Sequence, residues 1–153
     1  MSTRARVGIL NEDRSVDSVY HHSDGYPTWL GIVLKRHYSN TLKVRELMEG
    51  GDVSCLRSNR DWDNKELDQP IVQTYKMRGQ DCPSRRHEGL RDFLMFDWVQ
   101  IEYSYLWNPS LSALSWTCWK ANYDIDWMIP KPPTVIEIPE KHPEELRTNL
   151  VLL

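Results

Sequence analysis

The chain has 153 residues, 40% hydrophobic and 27% charged, with 7 Trp and 9 Pro, a profile that fits one globular domain and excludes collagen, coiled coil and wholesale disorder. Its 19 Lys and Arg against 22 Asp and Glu leave a net charge of -3, so no global positive field exists to attract nucleic acid. There is no signal-peptide or membrane-span pattern, and Cys55, Cys82 and Cys118 form no CxxC pair, so a reducing, cytoplasmic setting is expected.

Arg4 to Leu10 and Asp17 to His22 alternate as strands around the polar stretch Asn11–Ser15, which suits a hairpin loop. After Asp24-Gly25-Tyr26-Pro27, helical spacing of Trp29, Leu30, Val33, Leu34, His37 and Tyr38 predicts a helix to about Tyr38, with Thr28 as a candidate cap. A second helix, Thr41 to Glu49, should stop at Gly50-Gly51, and Asp52 to Arg57 should return as a strand. Residues 58–69 read as a polar surface excursion, and Ile71 to Met77 as a strand. Trp98 to Trp107 alternates clearly, and Ala113 to Ala121 runs back after the Asn108-Pro109-Ser110 turn. Beyond Trp127 five prolines break any helix. The expected fold is therefore α+β: one domain over 1–127 with an antiparallel sheet of five or six strands and two helices on one face, then a Pro-rich arm over 128–153. That arm either packs on its own subunit or adds Thr134–Ile138 to a neighbour's sheet.

Three constellations carry chemistry. The first is Tyr20-His21-His22-Ser23-Asp24-Gly25-Tyr26-Pro27, where period two sends the two imidazoles to opposite faces, so only one can share a pocket with Asp24. The second is Lys76–Arg91, where five cations against two carboxylates give a local charge of +3 on an acidic chain. Arg78, Arg85 and Arg86 are accordingly candidate ligands for phosphate or carboxylate, because guanidinium forks bind oxyanions bidentately. The third is aromatic density: Trp98 or Trp119, beyond what one core face absorbs, could stack a base together with Tyr26. Cys82-x4-His87 supplies at most two zinc ligands, and no phosphate-loop, dinucleotide or nucleophile-elbow motif occurs, so neither metal nor cofactor is expected.

The opening Met1-Ser2-Thr3-Arg4-Ala5, the Asp24-Gly25-Tyr26-Pro27 turn followed by Leu30-Gly31, Gly51-Asp52, and Glu102-Tyr103-Ser104-Tyr105-Leu106 resemble a widespread family of small tailed-bacteriophage proteins with STRA and DGYP signatures. The resemblance covers about residues 1–121; Ser23 stands where that family often has Trp or Phe. It implies an accessory protein of the host cytoplasm that counteracts host defence. The expectation is then a non-enzymatic homo-oligomer that sequesters a small nucleotide-type anion, with Arg78, Arg85, Arg86, His22, Asp24, Tyr26, Trp98 and Trp119 as ligand-binding residues. Two alternatives are an inhibitor that grips a host protein through exposed Trp and the arm, and a phosphoesterase using His22 with Asp24.

Overall fold

In the computed structural model the described residues are 3–57, 70–95, 101–110, 116–122 and 131–140. Trp98, Tyr123, Trp127, the 58–69 excursion and the arm's residues 128–130 and 141–153 lie outside them. The elements are β1 (Ala5–Leu10), β2 (Val16–His21), a wide π turn (Pro27–Gly31), α1 (Ile32–His37), α2 (Thr41–Glu49), β3 (Val53–Arg57), β4 (Ile71–Thr74), a 3-10 turn (Lys76–Arg78), β5 (Arg85–His87), α3 (Leu90–Met95), β6 (Tyr103–Trp107), β7 (Trp116–Asn122) and β8 (Lys131–Ile136).

The strands form one sheet in the order β4-β3-β2-β1-β6-β7-β8, with β5 against the first half of β2. The sheet is mixed, with eight strands, which corrects the expected antiparallel sheet of five or six: β1 runs parallel to β6, and β2 to β3. Parallel neighbours need a long crossover, and α1 with α2 is the crossover between β2 and β3. The antiparallel expectation assumed that each strand returns beside its predecessor. That holds for β1–β2, where Asn11, Asp13 and Ser15 close the hairpin through their own hydrogen bonds, and for β3–β4, β6–β7 and β7–β8.

The expected first helix divides: Pro27–Gly31 winds wider than an α-helix from Tyr26, which gives no side-chain cap, and α-helical bonding starts at Ile32. Asn40 caps α2 by accepting from the Lys43 N–H at 2.9 Å. A third helix, α3, was not expected; Leu90, Phe93 and Leu94 supply its i, i+3, i+4 stripe.

Alternation decides the two faces. Val7, Ile9, Val19, Tyr105, Trp107 and Cys118 meet α1 and α2 in the main core. The opposite parity, Val16 and Leu106, meets Phe93 of α3 in a smaller cluster. Much of the aromatic surplus is spent on the main face: the Trp107 indole donates to Thr41 Oγ1 at 3.0 Å and the Trp116 indole to the Tyr38 carbonyl at 2.8 Å, tying helices to sheet. The described part of the arm packs on its own chain. β8 extends the edge beyond β7, Ile138 is buried against Gly31 and Tyr105, and Glu140 pairs with Lys35 at 2.9 Å. Burying Ile138 contributes about 2 kcal/mol toward holding the arm down. Among the described residues no helix is long and apolar enough to cross a membrane.

Candidate functional site

The sheet face opposite α1 and α2 is strongly polar. On β1 and β2 the even positions point there, so Arg6 stands across from Tyr20, and Arg6 Nη1 donates to Ser18 Oγ at 3.4 Å. The antiparallel strand β5 adds His87, whose Nε2 lies 2.6 Å from Ser18 Oγ, while its Nδ1 lies 3.7 Å from Asp92 Oδ2 at the start of α3. With the Nδ1 proton toward Asp92, the Ser18 hydroxyl donates to Nε2: the order of a Ser-His-Asp triad, with the carboxylate beyond hydrogen-bond distance. Burial first, then the Arg6 charge, depresses the His87 pKa against the pull of Asp92. Ser18, however, is 0% exposed, so its hydroxyl is not presented to a substrate. We read the array as a buried polar core beneath α3. Sequence spacing gave no hint of it, because Ser18 and His87 meet only through the β2–β5 pairing.

Pairing also separates the candidate arginines. Arg85 sits across from Ser18 on the polar face, whereas Arg86 sits across from Asp17 and turns to the other side. There Arg86 Nε and Nη2 grip the Asp17 carboxylate at 2.9 and 3.2 Å, and Arg45 of α2 adds a third bond at 3.2 Å. The Arg86 bonds hold the Asp17 carboxyl below its ordinary range. Arg78 lies with the polar face: its Nη2 donates to Ser54 Oγ at 3.3 Å, and the guanidinium sits 5.8 Å from the Tyr75 ring centre. Asp52, buried, accepts the Tyr20 N–H at 2.9 Å; burial raises its pKa, and Tyr20's N–H, Arg85 and Arg6 work the other way.

His22 does not pair with Asp24. Its Nδ1 lies 2.6 Å from the Tyr20 hydroxyl, and Asp24, at φ 55, accepts from Tyr26 at 3.4 Å instead. Burial raises the Tyr20 pKa, while Arg4 and Arg6 lower it. Trp119 shares the polar parity but packs on the Val16–Phe93–Leu106 cluster. From β7 to β3 is four strand spacings, roughly 19 Å at ~4.8 Å each, so Trp119 and Arg78 do not wall one hollow. Tyr26 lines a cleft of about 580 Å³ at the start of β1, apart from the arginines. A second cleft of about 340 Å³, between the α1–α2 corner and β4, is lined by Arg36, His37, Lys43 and Glu46 among others, and by none of the candidate residues.

Among the described residues His21, on the core face, is the one buried imidazole with an idle nitrogen: Nε2 accepts the Leu56 N–H at 3.0 Å, and Nδ1 has no partner there. It replaces a strand partner where β3 shifts register between Val53 and Cys55. Burial, then His22, lowers its pKa to about 4 from an ordinary 6.5. The unfolded chain takes up this proton near pH 6.5 and the folded one only near pH 4. Stability is therefore expected to fall as pH drops through that window, by up to about 3 kcal/mol, and His21→Gln should flatten the slope. Urea midpoints from pH 7 to 4 read the effect; an equal slope in both proteins contradicts it.

No family model, curated protein or solved structure matches this chain. The functional reading therefore rests on the geometry of the polar face.

Proposed function

We propose that the protein binds a small phosphate-type anion on the polar sheet face and sequesters it without turnover. The observation that carries this reading is Arg78. Its guanidinium is steered by Ser54 and the Tyr75 ring, has no carboxylate partner among the described residues, and shares its side of the sheet with Arg85. Arg4, whose charge reaches Tyr20, extends the same positive run. Tyr20 and Tyr75, in place of Trp119, supply ring faces for a base. Arg86 is not part of the site, being committed to Asp17. Burial of Ser18 and the separation of His22 from Asp24 favour binding over hydrolysis.

The bacteriophage resemblance supplies the setting: an accessory factor in the host cytoplasm that withholds a nucleotide signal from a defence system. The test is to purify the protein from infected-cell extract, denature it and analyse what is released by mass spectrometry. A stoichiometric phosphate-bearing small molecule is the expected result. Release of no anion, with one stoichiometric host protein retained instead, overturns the reading in favour of a protein-binding inhibitor.

A further inference from the structure

The cleft of about 580 Å³ lies at the start of β1, where the Glu102 and Tyr103 N–H groups donate to the Arg4 carbonyl. Its walls come from Thr3 before β1, Tyr26-Pro27-Thr28 in the turn, Glu102 and Tyr103 entering β6, and Glu137 and Pro139 after β8. Among the described residues no Lys, Arg or His lines it. Glu102 and Glu137 are exposed and have no cationic partner among the described residues; Asp24, outside the lining, accepts from the Tyr26 hydroxyl. Elsewhere the chain does pair such groups, as Asp17 with Arg86 and Arg45, and Glu140 with Lys35. The two phenols register the negative surroundings: after burial, Glu102 raises the Tyr103 pKa and Asp24 that of Tyr26.

The walls are fixed before any ligand arrives. Gly25 N–H donates to the Thr3 carbonyl at 2.9 Å, the Tyr105 hydroxyl donates to the Gly25 carbonyl at 2.7 Å, and Ile138 is locked against Gly31. Among the described residues no three ligating side chains converge as for a metal ion, and the volume exceeds what one ion needs. Carboxylates at the rim, aromatic faces within and proline walls suit a cation that carries methylene chain: ammonium groups for the carboxylates and rings, carbon for the prolines.

We infer that this cleft is a second binding site, for a small organic polycation of the polyamine class. It is independent of the anion face and stands or falls separately. Titration with spermidine at low ionic strength, followed by amide chemical shifts, tests it. The largest shifts are expected at Thr28, Glu102 and Tyr103, and a Glu102→Gln/Glu137→Gln double variant should weaken binding by about tenfold or more. Both glutamates are exposed, so the variant leaves the core untouched and should melt with the parent protein. Tyr26→Ala should weaken binding as well, whereas Arg78→Gln should not. Shifts scattered over the surface, equal affinity in the double variant, or displacement of spermidine by an equal concentration of magnesium would each overturn the assignment.

Discussion

Gly51→Ala is expected to cost about 4 kcal/mol, the largest loss among the glycine-to-alanine changes. Gly51 follows the C-terminus of α2 at φ +75, and its N–H donates to the Met48 carbonyl at 3.1 Å, a glycine closing a helix in the left-handed region. An added Cβ would overlap the Cys82 carbonyl oxygen, which already accepts the Asp52 N–H at 2.8 Å. Backbone lies on both sides of the contact, so no flexible side chain can yield. Gly79 offers the control: it has φ +79 but nothing within 4 Å of an added Cβ. Gly79→Ala should show the conformational strain alone, about 1 kcal/mol. Urea unfolding of the two variants separates strain from collision; equal losses would mean that Gly51 and Cys82 do not touch. Because the Cys82 segment leads into Arg85, Gly51→Ala should also weaken anion binding in whatever fraction stays folded.

Gly25→Ala is expected to cost about 3 kcal/mol, and for a reason that joins two sequence signatures. An added Cβ would stand 2.7 Å from the Ala5 Cβ and 2.8 Å from the Thr3 carbonyl oxygen. The opening Thr3-Arg4-Ala5 and the Asp24-Gly25-Tyr26-Pro27 turn are thus one contact: a small residue on β1 faces a residue with no side chain in the turn. Asp24 takes the positive φ of 55 that turns the chain, so Gly25 is required by proximity rather than by dihedral freedom. In a double-mutant cycle Ala5→Gly should relieve part of the Gly25→Ala loss, with a coupling of about 1 kcal/mol, since Thr3 remains in the way. Strict additivity would contradict the contact.

Local signals in the sequence were read correctly where the chain's own chemistry decides. Asn11 to Ser15 closes a hairpin on itself, Gly50-Gly51 ends α2, and the alternation expected over Trp98 to Trp107 holds at Tyr103, Tyr105 and Trp107, which turn to the main core. What depended on distant partners was not legible. β5 is three residues long with only His87 buried, so Arg85-Arg86-His87 reads as a charged loop until β2 recruits it. That recruitment sends Arg85 and Arg86 to opposite faces, which no spacing within the loop could tell. The parallel pairs β1–β6 and β2–β3 likewise join segments 32 or more residues apart. At the candidate site, charge accumulation singled out residues 76–91, but it could not foresee Asp17 claiming one arginine, or Tyr20 replacing Asp24 as the partner of His22.

The claim that an anion is held by Arg78 and Arg85, and not by Arg86, is open to one direct measurement. Pyrophosphate is titrated calorimetrically at low ionic strength into the parent protein, Arg78→Gln and Arg86→Gln. Arg78→Gln should raise Kd about tenfold or more, and Arg86→Gln should leave it within about twofold, because its guanidinium is turned away and bound to Asp17. Equal weakening by both variants, or no heat of binding in the parent protein, would contradict the account.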